Sequence, residues 1–136
     1  MSFDYHIQTF PEHSLIVAQL HGSLDKTSLV ALDRDFWAAW LPDTMRVLFD
    51  YRGVTSLDMS IADTLAVGNI DREQRQPQEG LRAAYVVGNE ITLGFCRVIQ
   101  SVWSTHLAIE VFTEPTAALE WLDLPAPDSK LFLPEF

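Results

Sequence analysis

Val47-Leu48-Phe49-Asp50 is an apolar run closed by an acid. Arg52-Gly53 and Val54-Thr55 follow it, and then Asp58-Met59-Ser60 stands at the head of a helical pattern. The run has no polar alternation, which suits a strand buried on both faces. Buried strand, turn and capped helix in that order confine the chain to an α/β architecture with polar groups at the ends of its strands. On this reading the strand ends at Asp50 and the chain turns at Arg52-Gly53.

The flanking segments extend the pattern. Tyr5 to Phe10 alternates apolar and polar, and Leu15 to Leu20 is a second strand, so the pair predicts a hairpin broken at Pro11. Leu24 to Leu41 is helical, with Leu29, Leu32, Phe36, Ala39 and Trp40 on one face and Asp25 or Thr27 as cap. Pro42 stops it. A second helix is predicted from Ser60 to about Ile70. Ser60-Ile61-Ala62-Asp63 has capping-box form, and Ile61 and Leu65 supply the apolar face. Asp71 to Arg82 reads as an exposed connection or a frayed helix end.

Ala83 to Val87 is a fourth strand, and Gly88-Asn89 turns the chain. Ile91 to Ser104 is a third helix with Ile91, Phe95, Val98, Ile99 and Val102 on one side. Ile109 to Phe112 is a fifth strand. Thr113 caps a short last helix that carries Pro115 in its first turn. The order predicts an α/β fold: a mixed, mostly parallel five-stranded sheet with four helices mainly on one face. Residues 1–122 form one domain. Residues 123–136 form a Pro-containing tail whose Leu131, Phe132, Leu133 and Phe136 pack it on that domain or on a partner.

Composition narrows the class. With 136 residues, 48% of them apolar, the chain has material for one real core. No apolar run approaches the roughly 20 residues that span a bilayer, and the first residues have no signal-peptide pattern. These features predict a cytoplasmic protein. The net charge of -10, with only Lys26 and Lys130 as lysines, argues against nucleic acid as a partner. One cysteine, Cys96, excludes an intrachain disulfide. His6, His13, His21 and His106 are scattered, and no His-x-x-x-His or Cys-x-x-Cys spacing occurs, so no metal or cofactor is predicted.

A strand ending in Asp50, followed by Val54-Thr55 and Asp58-x-Ser60, resembles the STAS fold of the anti-sigma-factor antagonists, and within it the SpoIIAA-like proteins. Ala84-Tyr85-Val86-Val87, Leu93 to Arg97, and Val111-Phe112-Thr113 leading to Ala117-Ala118-Leu119-Glu120-Trp121-Leu122 extend the likeness over roughly Tyr5 to Leu122. The resemblance implies a regulatory, non-enzymatic module. It also implies phosphorylation in the Asp58–Ser60 loop, with Ser60 as the retained hydroxyl. Met59 stands where that family has a first hydroxyl, and Ile61 where it has Gly.

Each candidate residue has a plainer reading beside the functional one. Phosphate on Ser60 would meet a helix N-terminus, whereas an unmodified serine there is a normal cap. Asp50 and Asp58 could lie together at strand ends and bind a cation or share a proton, or each could serve a turn. Arg97 and Arg52 could hold an anion, or make structural salt bridges. Gly94 suggests close packing or ligand approach. Cys96 reads as a small core residue. Phe36, Trp37, Trp40, Phe95, Trp103 and Trp121 could line a pocket for an apolar, lipid-like small molecule between helices and sheet, or fill the core. Trp37, Val30 and Leu41 form a second apolar stripe, which predicts a homodimer. The expected function is protein recognition near Asp58–Ser60, and the alternative is an apolar-ligand carrier.

Overall fold

The computed structural model describes residues 3–74, 80–103 and 108–124. The tail from 125 onward, the stretch 75–79 within the expected Asp71–Arg82 connection, His106, and the side chains of Val102 and Trp103 lie outside the described residues.

Five strands form one sheet in sequential order: β1 (Phe3–Phe10), β2 (Leu15–Asp25), β3 (Arg46–Asp58), β4 (Arg82–Val86) and β5 (Ala108–Phe112). A short 3-10 turn, Pro11–His13, closes the antiparallel β1–β2 hairpin, and every later pairing is parallel. Four helices complete the fold: α1 (Lys26–Ala38), α2 (Ile61–Gln74), α3 (Glu90–Trp103) and α4 (Pro115–Trp121).

The sheet grows in one direction, and right-handed crossovers then put every connecting helix on the same face. Leu29, Leu32 and Phe36 of α1, Val67 of α2, and Cys96 and Ile99 of α3 accordingly share one core with Ile16, Leu20 and Tyr85 of the sheet. α4 follows the last strand and lies on the opposite face, where Ala118, Leu119 and Leu122 pack on Leu48, Ala84 and Val86. This is the expected mixed sheet with helices mainly on one face.

The helical ends differ from expectation by a few residues for local reasons. Leu24 and Asp25 belong to β2, and Asp25 caps α1 by accepting the Ser28 N–H at 2.8 Å. α1 ends at Ala38, before Pro42. α2 runs on to Gln74, past Ile70. The cap position of α4 is Glu114 rather than Thr113, with no side-chain bond.

The largest departure is β3. The chain does not turn at Arg52-Gly53; β3 continues to Asp58, paired with β2 up to Asp25. The pairing slips at two places, between Gln19 and His21 and between Gly22 and Ser23. Each slip places one extra residue on β3, so these are β-bulges. A Gly-containing segment that reads as a turn is used as an irregular strand. β2 and β3 therefore project beyond Val86 and Phe112, the ends of β4 and β5, as a two-stranded ribbon.

Candidate functional site

Asp58 stands at the end of β3, exposed, and Met59-Ser60 leads into α2. Ser60 and Asp63 build the capping box that their spacing implied. The Asp63 N–H donates to Ser60 Oγ at 3.0 Å, and the Ser60 N–H donates to Asp63 Oδ2 at 3.1 Å. The Thr64 N–H and hydroxyl both reach the Ser60 carbonyl at 3.1 Å. Ser60 is exposed, so its hydroxyl is at once a cap and open to solvent.

α3 begins beside this point. Asn89 Oδ1 accepts the Thr92 N–H at 2.9 Å, capping the helix, and Asn89 Nδ2 donates to the Val54 carbonyl at 3.1 Å. One asparagine thus ties the start of α3 to the projecting part of β3. Gly88 permits the approach: a Cβ there would lie 3.1 Å from the Arg52 carbonyl oxygen and 3.2 Å from its Cα. No local sequence signal distinguishes these roles from an ordinary Gly-Asn turn.

The two helix starts enclose a groove of about 250 Å³. Leu57, Met59, Ser60, Ile61 and Thr64 line one wall, and Ile91, Gly94, Phe95 and Val98 the other. Ile61 is 69% exposed, Ile91 56% and Leu65 41%. The expected face of α2 is therefore reversed. Ile61 and Leu65 point to solvent, while Thr64, Val67 and Gly68 face inward. Small inward residues let α2 lie close between α1 and α3. Ile91 is likewise outside the buried face of α3, which Thr92, Cys96 and Ile99 form. A Cβ at Gly94 would meet nothing within 4 Å, so this glycine faces open space rather than a packing neighbour.

The other candidates lie elsewhere. Asp50 is fully buried on the α4 side of the sheet. It accepts the Arg52 N–H at 3.0 Å, Arg52 Nε at 3.0 Å, Arg52 Nη2 at 2.9 Å and Gln19 Nε2 at 3.1 Å. These bonds occupy the carboxylate and hold the first bulge. Eight residues of strand, roughly 25 Å, separate it from Asp58, so the two acids do not form one site. Arg97 is exposed on α3 and donates to its own-helix neighbour Gln100 at 3.3 Å. Asp50 thus stands apart from Asp58 and Ser60, and Arg97 does not line the groove beside them.

Trp37 packs on Phe36 and Trp40, with ring centroids at 5.5 and 4.8 Å. It begins a series of rings through Phe36, Phe49, Tyr85 and Tyr51 to Phe95, with successive centroids 4.9–5.9 Å apart. Val30 and Trp37 are spent on the chain's own core, leaving Leu41 of that stripe exposed. Phe36, Trp37, Trp40, Phe95 and Trp121 pack on the core, and of the ring series only Phe95 reaches the groove. Burial pushes up the Cys96 thiol and the Tyr51 hydroxyl, so neither ionises readily. Among the described residues, no group of three His, Cys, Asp or Glu side chains could hold a metal ion. No helix among them is long and apolar enough to cross a membrane.

No family model matches the chain, and no curated protein matches it. Among solved structures it is similar to an uncharacterized protein of the DUF3478 family with a SpoIIAA-like fold from Shewanella loihica PV-4. That match is 18% identical, covers 88% of this chain and 93% of the other, and has a TM-score of 0.57. It is also similar to an anti-sigma factor antagonist from Mycobacterium paratuberculosis, at 13% identity, with 90% and 95% of the two chains covered and a TM-score of 0.58. Likeness at these identities establishes the fold: the chain has the STAS, SpoIIAA-like architecture that its order of elements implied.

Proposed function

We propose that the chain is a non-enzymatic regulatory module that recognises a protein partner at the groove between α2 and α3, with Asp58–Ser60 at its mouth. The observation that carries this reading is the outward placement of Ile61, Leu65 and Ile91. They are three of the four large apolar side chains left exposed among the described residues. Apolar side chains clustered beside one groove mark an interaction surface. Asp58, Asp63 and Glu90 flank it, and the chain's net charge is -10, so a partner with an apolar anchor and basic flanks fits best. The similarity to an anti-sigma factor antagonist supports the regulatory class.

Ser60 supplies a means of control. Phosphate on its exposed hydroxyl would add negative charge beside Asp63 and Asp58 and break the reciprocal cap. Modification here weakens a basic partner's helix-side contacts while leaving the sheet intact. Arg97 lies on the α3 side as a cation toward an acidic partner group, whereas Trp37 and Asp50 serve the core. The cellular setting we assign is cytoplasmic, and a second copy of the chain is the first partner to test.

The apolar lining also supports the alternative of a small apolar ligand. The groove's volume of about 250 Å³ favours the protein partner, since pockets for such ligands run to about 300–1,000 Å³ and enclose most of the molecule. Intact mass under native and then denaturing conditions separates the readings. Added mass lost on denaturation indicates a bound ligand, and a phosphate increment that survives indicates modification. A doubled native mass indicates a homodimer. Gly94→Trp places a ring in open space at the groove wall. Partner capture that survives this substitution in a folded protein contradicts the proposed site.

A further inference from the structure

The sheet has two edges, β1 and β5, and they are finished differently. β5 has five residues, and the Gln100 side chain of α3 donates to its Ile109 carbonyl at 2.7 Å. β1 is longer, at eight residues. We infer that β1 is the seat of a reversible homodimer, in which a second copy of the chain adds its own β1 antiparallel across a two-fold axis at Tyr5. An edge strand presents unpaired N–H and C=O groups, which template such pairing. No β1 residue lines the α2–α3 groove, so this inference stands apart from recognition there.

One hydrogen bond fixes which residues of β1 face outward. The Tyr5 N–H donates to the Asp4 carboxylate at 2.9 Å, in an exposed bond. In an antiparallel ladder alternate residues turn both main-chain groups to the same side. Tyr5, and with it Phe3, Ile7 and Thr9, therefore points its main chain away from β2. Phe3, Tyr5 and Ile7 pack their side chains on the core that α1 shares, while Asp4, His6 and Gln8 are exposed on the other face.

A twin strand must oppose outward-facing residues to outward-facing residues, which leaves few registers. An axis at Asp4 opposes two carboxylates, and one at His6 opposes two imidazoles. An axis at Ile7 sets Asp4 against the buried Phe10. An axis at Tyr5 sets Phe3 against the partner's Ile7, Tyr5 against the partner's Tyr5, and Asp4 against the partner's His6, with the symmetric copy of each. Complementary pairs directly opposite stabilise a ladder, and like charges there destabilise it. In the single copy the Asp4 carboxylate occupies the Tyr5 N–H. On pairing, the partner's Tyr5 carbonyl takes that N–H, and the carboxylate accepts from the partner's imidazole instead. The ladder from Phe3 to Ile7 is short, so the dimer dissociates on dilution.

Sedimentation equilibrium of the full chain over a range of concentrations tests this. The inference expects a monomer–dimer equilibrium in the parent, about tenfold weaker in Asp4→Lys and restored in Asp4→His with His6→Asp. Asp4 and His6 are exposed, so these substitutions leave the core alone. A parent that stays monomeric at every concentration overturns the inference, as does a dimer that Asp4→Lys leaves unchanged. A dimer dispersed by Ile61→Asp overturns it in favour of the groove. The register is read by mixing Asp4→Cys with His6→Cys under a mild oxidant, with Cys96 buried. Opposed residues at such positions lie about 4.5 Å apart, within reach of a disulfide. Crosslinking in the mixture but in neither variant alone supports the axis at Tyr5. Crosslinking of either variant alone, or none in the mixture, overturns it.

Discussion

Ser60 and Asp63 cap one another at the start of α2, each backbone N–H donating to the other's side chain, at 3.1 and 3.0 Å. Two N–H groups that a helix leaves orphaned are satisfied by this exchange. Ser60→Ala removes the Oγ acceptor and lowers stability by about 1 kcal/mol, read from the urea midpoint. Ser60→Asp retains an acceptor at the cap and costs less. Equal losses for the two substitutions would contradict the capping role.

Gly88 and Gly94 are predicted to respond in opposite ways to alanine. At Gly88 the added methyl group meets Arg52 backbone at 3.1–3.2 Å, and backbone cannot swing aside, so Gly88→Ala costs about 1–3 kcal/mol. At Gly94 nothing lies within 4 Å, and the helix gains up to about 1 kcal/mol from alanine. Thermal unfolding of the two variants beside the parent checks both signs.

Arg46 joins three elements that local sequence keeps apart. Its Nε donates to the Leu122 carbonyl and its Nη1 to the His13 carbonyl, both at 2.6 Å. The first carbonyl lies at the end of α4, where a cation also suits the helix dipole. Arg46→Ala leaves both carbonyls short of a donor and is expected to cost about 1–3 kcal/mol. Arg82→Ala loses the Trp121 carbonyl and a bond to Asp123, whose side chain is 74% exposed, and is expected to cost less. Equilibrium unfolding that ranks Arg82 above Arg46 would contradict this account.

Acid stability follows from two aspartates. The Ser28 N–H holds the Asp25 carboxyl below its ordinary range, and the Tyr5 hydroxyl does the same for Asp35. Both have folded pKa values below the unfolded ones, so the native state binds fewer protons at these sites. Their contribution is present above the unfolded value of about 4 and is lost as pH falls through the folded values. The urea midpoint should hold from neutral pH to about 5 and then fall. Asp25→Asn with Asp35→Asn should flatten the part of that fall that these groups cause.

Cys96 is predicted to be inert in the native protein. It is fully buried in the core between α3 and the sheet, and burial raises its pKa, which suppresses the thiolate. A chromogenic disulfide should react with it only at the rate of helix opening and rapidly in denaturant. Fast native reaction would contradict the packing of α3.

Much of this fold is legible in the sequence because periodicity reports local burial. Alternation in β1 places Phe3, Tyr5 and Ile7 inward, and Leu29, Leu32 and Phe36 mark the buried face of α1. The parallel order follows from helices set between strands. Three features resist such reading. Arg52-Gly53 has turn composition, yet the Asp50 carboxylate and the β2 pairing stabilise it as a bulged strand. Ile61 and Leu65 look like the core face of α2, and only the close fit of small residues between α1 and α3 turns them outward. Gly88, Asn89 and Arg46 act across gaps of more than thirty residues, where no window of sequence records them. Of the groove's lining, the sequence singles out Ser60 and Gly94, whereas the outward turn of Ile61 and Ile91 is visible only in the structure.

The most direct test of groove recognition is partner capture from the source cells by four baits: the parent, Ile61→Asp, Ile91→Asp and Leu41→Asp. Leu41 is exposed at 38% but lies away from the groove, so it controls for a general loss of apolar surface. The account predicts that a protein held by the parent and by Leu41→Asp is lost from both isoleucine variants. A partner that all four retain, or that Leu41→Asp alone releases, would contradict it.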